Sequence, residues 1–138
     1  MQAPLEGIRV LDLSHALAGP HCSTMLADYG AEVFKLETPL TGDIARAWGV
    51  PLPGGENSYF VALHRNKRGL SVDLKSEQGK KIFLDLVDNV DVVLENFRVG
   101  SLTPPRSPQV QQQGVYAYRR QASILAPGSG VRAPWASL

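Results

Sequence analysis

Short apolar runs alternate with amphipathic segments along the first hundred residues, and this alternation is the feature that most constrains the fold. The apolar runs, which are of strand type, cover residues 8–13, 33–36, 70–74 and 91–95. Helices are predicted between them at 19–29, 58–66 and 76–89. Strands that alternate with helices form parallel sheets with helices on both faces. We therefore predict an α/β protein with a doubly wound parallel sheet.

Two of the helices have sequences that predict both their ends and their buried faces. Gly19 and Pro20 begin the first helix, since proline suits the first helical position, and Gly30 follows its end. Its predicted apolar face consists of Cys22, Met25, Leu26 and Tyr29. Ser76 caps the last helix. The predicted apolar face there consists of Ile82, Phe83, Leu86, Val87 and Val90.

Ligands of such sheets bind beyond the carboxyl ends of the strands, so the loops after the strands are the candidate sites. The first loop lacks the G-x-G-x-x-G pattern, and no P-loop pattern occurs in the chain, which argues against NAD, FAD and P-loop nucleotides. Residues 14–20 are either a tight turn or an anion site at a helix N-terminus. In the long connection at 37–56 we expect Asp43 and Arg46 to pair and fix the loop.

Basic residues at 64–68, together with Lys75, bracket the third predicted strand. They are either a solvated face or donors to phosphate groups. Cys22 is expected in the core, because adjacent helical residues point about 100° apart and His21 is badly placed to activate it. Three histidines without a carboxylate-rich motif predict no metal site.

Composition divides the chain at residue 102. Residues 1–102 hold all 13 acidic residues and 10 of the 14 Lys and Arg, whereas 103–138 hold four Arg, no acidic residue and five of the ten prolines. We predict a folded part at 1–102 and a poorly ordered tail at 103–138. The net charge of +1, the start of the chain and the lack of a long apolar run predict no nucleic-acid partner, no membrane span and no secretory signal.

The order and spacing of several segments resemble the family III CoA-transferases, the group that includes formyl-CoA transferase and the CaiB/BaiF proteins. The segments are PLEGIRVLD (4–12), AGP (18–20), LADYGAEVFKLE (26–37), GD (42–43) with Arg46, NKR (66–68), VDLK (72–75) and DVVLENFRVG (91–100). The resemblance covers residues 4–102 and makes 1–102 the N-terminal part of the family's large domain. It implies an incomplete Rossmann-like sheet and a cytoplasmic location, or the mitochondrial matrix in a eukaryote.

The resemblance also implies partners and contacts. The substrates would be an acyl-CoA and a carboxylic acid, with coenzyme A as the group transferred and no metal, and full-length members form an interlocked homodimer. Thr38 stands where some members have an arginine near the adenine. The positions that match the family's CoA contacts are Leu17, Ala18, Val72, Asp73, Leu74, Lys75, Asn96, Phe97, Arg98, Val99 and Gly100.

Family members transfer CoA through an aspartate that attacks the thioester and then carries CoA as an aspartyl thioester. That aspartate belongs to a segment beyond the matching region, so no catalytic residue is predicted in this chain. The expectation is a CoA-transferase truncated before its nucleophile and inactive alone. The alternatives are a non-catalytic CoA-binding module and a fragment that pairs with a longer chain.

Overall fold

A computed structural model of the chain describes residues 2–97 and the strand at 116–119. The strands are β1 (Arg9–Asp12), β2 (Glu32–Glu37), β3 (Lys67–Ser71), β4 (Val92–Glu95) and β5 (Tyr116–Arg119). The helices are α1 (Ala18–Asp28), α2 (Ser58–His64) and α3 (Glu77–Val87), with a short 3-10 helix at Ile44–Ala47.

The five strands lie in one sheet in the order β3-β2-β1-β4-β5. β1, β2, β3 and β4 are parallel, which confirms the predicted α/β class. The chain moves outward from β1 to β2 and β3 on one side and returns to place β4 on the other side. The order therefore reverses between β1 and β4, and the carboxyl ends of these two strands form the crevice where open α/β sheets bind ligands.

β5 lies within the part of the chain that was expected to lack regular structure. It pairs antiparallel with β4, with Val92 opposite Arg119 and Glu95 opposite Tyr116. Its sequence, Tyr-Ala-Tyr-Arg, contains no run of large aliphatic residues like those at β1 and β4, so no strand was predicted here. The rest of 103–138 lies outside the described residues.

β3 begins and ends three residues earlier than predicted, at 67–71 instead of 70–74. Its first residue, Lys67, lies opposite Val33 of β2. The prediction was wrong because it placed Lys67 among the basic residues that precede the strand. The segment from Val72 to Lys75 consequently forms the turn between β3 and α3.

Apolar side chains cover both faces of the sheet. Leu11 and Leu13 pack with Phe83 and Val87 of α3 in one cluster, whereas Val10 packs with Ala27 of α1 in another. Alternate residues of β1 thus enter opposite layers, as the two-residue period of a strand requires. Helices cover the two faces, and the doubly wound prediction is confirmed.

The buried face of α1 differs from the predicted one. Met25 and Tyr29 are 43% and 59% exposed. Cys22 and Leu26 are only partly buried, against the cluster that contains Val10. The buried residues are Gly19, Pro20, Ser23, Thr24 and Ala27. These small side chains let α1 lie close to the sheet, so the larger apolar residues remain outside.

The predicted face of α3 is largely correct. Phe83, Val87 and Val90 are buried, and Leu86 packs against their cluster. Ile82 is 42% exposed, so its assignment to the buried face was wrong. Ser76 caps the helix as predicted, because its side chain accepts a hydrogen bond from the Gly79 N–H.

Candidate functional site

The loop between β1 and α1 meets the segment after β4 at the point where the strand order reverses. The Asn96 amide joins them: its Oδ1 accepts a hydrogen bond from the His15 N–H and its Nδ2 donates to the His15 carbonyl, both over 2.8 Å. The rings of His15 and Phe97 lie 5.5 Å apart. The predicted CoA contacts form three groups, at 17–18, 72–75 and 96–100. The loop that holds the first group and the segment that begins the third therefore lie next to each other.

Leu17 and Ala18, the predicted contacts of the first loop, lie at the N-terminus of α1 and are exposed. Leu17 is the N-cap residue and makes no side-chain capping bond. The N–H groups at the start of a helix carry partial positive charge that favours anions. A helix N-terminus with exposed residues suits a ligand that carries phosphate groups.

The second group, Val72 to Lys75, lies in the turn between β3 and α3. The Val72 N–H donates to the Glu37 carbonyl over 3.0 Å, and the Lys75 N–H donates to Asp73 Oδ1 over 2.9 Å. These bonds fix the turn at the carboxyl end of β2 and leave the Lys75 side chain exposed.

The turn and the segment after β4 share one side of the sheet. Leu74 and Phe97 are partly buried and pack against the cluster that contains Val72 and Phe83. Arg98, Val99 and Gly100 lie outside the described residues, so their predicted role stays a prediction.

Asp43 lies beneath the first loop and is buried, although its expected partner was Arg46. Its Oδ1 accepts hydrogen bonds from the N–H groups of Ala16 and Ala45 over 3.1 and 2.9 Å, and Lys35 Nζ lies 3.1 Å from Oδ2. Burial opposes ionisation of this carboxyl, but His15, the two N–H groups and Lys35 together hold its pKa far below the usual range. Asp43 is therefore ionised at neutral pH although it is buried.

Arg46 pairs with Glu37 instead of Asp43. Its Nε and one terminal nitrogen each lie 2.8 Å from a different oxygen of the Glu37 carboxylate, and its guanidinium lies 3.8 Å from the centre of the Phe60 ring. Although burial opposes ionisation of Glu37, hydrogen bonds from Arg46 and from the Asp43 N–H lower its pKa. The predicted pairing of Arg46 with Asp43 was wrong, because the planar guanidinium forms two parallel hydrogen bonds with the Glu37 carboxylate.

Basic side chains of the segment at 64–68 bond to other groups of the protein. Lys67 Nζ lies 3.2 Å from Asp12 Oδ2 and donates to the Pro20 carbonyl and Ser23 Oγ over 2.9 and 2.7 Å. Burial lowers the pKa of Lys67 to about 8, despite the opposing effect of Asp12. Arg65 pairs with Asp28, and Arg68 pairs with Glu32. Among the described residues, Arg65 and Arg68 each have a carboxylate partner, whereas the structure shows no ion pair for the exposed Lys75.

An open cleft of about 310 Å³ lies at the carboxyl ends of β2 and β3. Thr38 lines it, and so do Glu37 and Arg46. Gly69 and Ser71 form its other wall. The cleft adjoins the turn that begins at Val72.

Sequence reasoning missed Asp12 and Lys35 as members of this site. The available signal was a lysine inside the apolar run at 33–36, because a buried cation requires a buried anion nearby. Ser14 also belongs to the group, since its N–H donates to Asp12 Oδ1 and its carbonyl accepts from Lys35.

In the part of the chain that the structure describes, no three His, Cys, Asp or Glu side chains are grouped so that they could hold a metal ion. Within the same residues, no helix has the length and apolarity needed to cross a membrane. Cys22 is half-buried, and burial raises the pKa of its thiol.

Sequence comparisons relate the chain to one enzyme family. The sequence model of CoA-transferase family III matches residues 5–104. Human succinyl-CoA:glutarate CoA-transferase is 44% identical over 100 residues, which are 72% of this chain and 23% of that protein. Formyl-CoA:oxalate CoA-transferase of Bradyrhizobium sp. (strain ORS 278) is 38% identical over 130 residues, which are 94% of this chain and 31% of that protein. The second alignment extends past residue 104, beyond the point where the resemblance was expected to stop.

Solved structures give the same relationship. The orthorhombic form of Rv3272 from Mycobacterium tuberculosis superposes with a TM-score of 0.66 at 45% identity, over 72% of this chain and 28% of that one. A CAIB/BAIF family protein from Brucella suis gives a TM-score of 0.68 at 40% identity, over 74% of this chain and 28% of that one. The chain spans about a quarter to a third of the length of these relatives.

Proposed function

Because this chain belongs to CoA-transferase family III, we propose that its carboxyl sheet edge is the CoA-binding part of an enzyme that moves CoA between an acyl-CoA and a carboxylic acid. The observation that carries the proposal is the pair of hydrogen bonds between Asn96 and His15. They hold the first loop and the segment after β4 together where the strand order reverses, which is where such sheets bind ligands.

The charges of the edge fit a ligand with phosphate groups. Lys67, Arg65 and Arg68 have carboxylate partners within the protein, whereas Lys75 is exposed in the turn after β3. An exposed lysine near a helix N-terminus attracts anions without a large desolvation penalty. We therefore assign to Lys75 the main electrostatic contribution to CoA binding, with Leu17 and Ala18 as backbone contacts.

For the chemical step we propose the covalent route that the resemblance implies. A carboxylate attacks the acyl-CoA thioester and releases CoA thiolate, which then attacks the mixed anhydride to give an aspartyl-CoA thioester and free acid. The acceptor acid takes CoA by the same two steps in reverse order. The resemblance implies that this carboxylate belongs to a segment beyond the matching region, and the buried Asp12 and Asp43 are both engaged in ion pairs.

We also propose that residues 1–102 form one structural unit and that 103–138 diverge from it. The loss of acidic residues after Glu95 and the end of the family match at residue 104 support this division. β5 and the longer Bradyrhizobium alignment support a later boundary. Hydrogen exchange along 103–138 decides between them, since slow exchange outside 116–119 would move the boundary.

An alternative function is favoured by the exposed apolar side chains of α1 and the 3-10 helix region. Met25, Tyr29, Ile44 and Val50 are all at least 43% exposed. Exposed apolar side chains that form a contiguous patch often mark an interface. A chain that only pairs with a longer family member would co-purify with that member and would bind no CoA by itself.

The test of CoA binding is a titration of the ¹⁵N-labelled 138-residue chain with CoA. We expect a millimolar dissociation constant that increases with added salt. We also expect chemical-shift changes at the amides of residues 15–18, 72–75 and 96–97. Lys75→Ala should weaken binding roughly three- to tenfold, the low end for a charged hydrogen bond at an exposed site. Lys81→Ala, on the exposed side of α3, is the matched control. Chemical-shift changes confined to Lys80 and Lys81 would contradict the proposed CoA-binding site.

A further inference from the structure

We propose that Asp43 is a positioning residue that sets the backbone of the β1–α1 loop, residues 14–17, and thereby controls the affinity for CoA. This inference rests on the proposed function for its ligand. Asp43 is 1% exposed, so it cannot itself touch a bound molecule. Any effect on binding must act through the groups that it holds.

The loop has a backbone conformation that needs support. Ala16 has a φ of 69°, in the left-handed region that residues with a side chain rarely adopt. The Ala16 N–H donates to Asp43 Oδ1 over 3.1 Å. This bond holds the strained residue directly before Leu17 and Ala18, the predicted backbone contacts with CoA.

The two residues before Ala16 are held by side chains from other elements. Lys35 of β2 donates to the Ser14 carbonyl, and its Nζ lies 3.1 Å from Asp43 Oδ2. Asn96 bonds both backbone groups of His15. Three consecutive loop residues thus depend on β2, on Asp43 and on the segment after β4. Asp43 bonds the backbone of one of the three directly and supports the backbone of a second through Lys35.

Asp43 is itself fixed by the wall of the neighbouring cleft. Its N–H donates to Glu37 Oε2 over 2.8 Å, and Arg46 holds both oxygens of that carboxylate. Because Glu37 and Arg46 line the cleft, Asp43 connects the cleft wall with the first loop. Glu37 and Arg46 therefore support the loop through Asp43, whose carboxylate accepts the hydrogen bond from the Ala16 N–H.

The charge of Asp43 matters in addition to its hydrogen bonds. Within the described residues its Oδ2 has no hydrogen-bond partner. That oxygen faces Lys35 Nζ at 3.1 Å, His15 Nδ1 at 3.8 Å and His64 Nε2 at 3.9 Å. The interaction on this side is therefore ionic and keeps the Lys35 ammonium beneath Ser14. An uncharged residue of the same shape would keep the bond to Ala16 and lose this ionic contact.

The test compares Asp43→Asn and Asp43→Ala in the full 138-residue chain, with Asp85→Asn on the exposed side of α3 as the control. In the ligand-free protein, Asp43→Ala should speed hydrogen exchange of the Ala16 amide about tenfold or more, the effect of losing one hydrogen bond. CoA affinity should fall by about the same factor, and Asp43→Asn should show a smaller loss. The control should stay within about twofold of wild type in both measurements.

Asp43→Asn keeps the test decisive if Asp43→Ala does not fold, because it preserves the shape of the side chain and removes only the charge that faces Lys35. We expect the amide resonances of 15–18 to move and CoA affinity to fall in this variant as well. A purely structural role for Asp43 would lower the melting temperature while leaving Ala16 exchange and CoA affinity of the folded protein unchanged, and that result would overturn the inference. A wild-type chain that binds no CoA would contradict the proposed function instead, while the ligand-free exchange still decides the role of Asp43.

Discussion

Lys67 extends from β3 to an ammonium site beneath α1, although strands covered on both faces usually carry apolar side chains. It is stabilised there because Asp12 supplies the opposite charge and the Pro20 carbonyl and Ser23 hydroxyl supply two further acceptors. These contacts join β1, β3 and α1 at one point. A buried ion pair of this kind is destabilising when one member is removed, since the other charge stays without a partner.

We predict that Lys67→Ala lowers the free energy of unfolding by about 3–5 kcal/mol. The measurement is urea-induced unfolding followed by circular dichroism, with Lys81→Ala as an exposed lysine control that should change stability by less than about 0.5 kcal/mol. Lys67→Met should lose nearly as much as Lys67→Ala, because the missing charge is the dominant effect. Equal stability of wild type and Lys67→Met would refute this account.

The buried carboxylates predict a defined loss of stability in acid. Glu37 ionises below its usual pKa of 4.5, and Asp12 and Asp43 ionise below their usual 3.8. A lowered folded-state pKa stabilises the fold fully above the unfolded value, and this contribution disappears as pH falls through the folded value. The contribution of these three carboxylates to the free energy of unfolding should therefore be constant from neutral pH to about 5 and fall below about 4.5. Arg46→Ala should reduce the part of this fall that Glu37 contributes, whereas a flat profile down to pH 3 would contradict it.

At the scale of elements, two glycines are required by how closely helices approach their neighbours. A Cβ at Gly19 of α1 would lie 2.1 Å from the Cβ of Ser14, and a Cβ at Gly79 of α3 would lie 1.9 Å from the Asp73 carbonyl oxygen. Gly69 of β3 is different, since nothing lies within 4 Å of the corresponding position. The two helices thus contact the loops of the candidate site without room for a methyl group.

We predict that Gly79→Ala destabilises the protein by about 1–3 kcal/mol, although alanine normally stabilises a helix relative to glycine by about 1 kcal/mol. The contact is with backbone, so the turn at 73–76 must move to accommodate the methyl group. Gly69→Ala is the matched control and should be neutral or stabilising by up to about 1 kcal/mol. Urea unfolding of both variants gives the comparison, and a stabilising Gly79→Ala would show that the turn adjusts freely.

Element by element, the sequence was informative where local chemistry decides. The cap at Ser76 and the end of α1 before Gly30 follow from a side-chain hydrogen bond and a backbone preference within a few residues. α2 begins as predicted at Ser58 but ends at His64, before the predicted residue 66. The start of β3 and the buried face of α1 were wrong for a different reason. Both depend on contacts between distant residues that no local pattern contains. Lys67 of β3 reaches Asp12, which lies 55 positions earlier, and Ser23 and Thr24 of α1 bond Asp12 and the Leu63 carbonyl.

For the whole molecule, the position of the candidate site could be predicted and its electrostatics could not. Alternating strands and helices imply a crevice at the carboxyl sheet edge, which is where the loops after β1 and β4 meet. The pairs Lys35–Asp43 and Arg46–Glu37 depend on the tertiary packing around them. Asp43 was paired with the wrong arginine because proximity in sequence was the available criterion.

We predict that the 138-residue chain alone transfers no CoA between acyl-CoA and carboxylic acids above background. Its last acidic residue is Glu95, and the aspartates at 12 and 43 are buried in ion pairs. The assay is exchange between labelled acid and acyl-CoA, with a full-length family member as the positive control. An aspartyl-CoA adduct on the purified chain, seen by intact-mass measurement, would contradict this prediction and identify a nucleophile within these residues.

The placement of β1 has a consequence for how the polypeptide is made. β1 lies between β2 and β4, and its last partner arrives late, since the Arg9 N–H bonds the side chain of Asp91, 82 residues further along. Translation delivers the N-terminus first, so the nascent chain carries an apolar strand with one open side until β4 has left the ribosome. Pairing across such a span is slow because the intervening loop must close first. Chaperone demand during synthesis should therefore peak just before residue 95 emerges, and fall once the central strand has both neighbours.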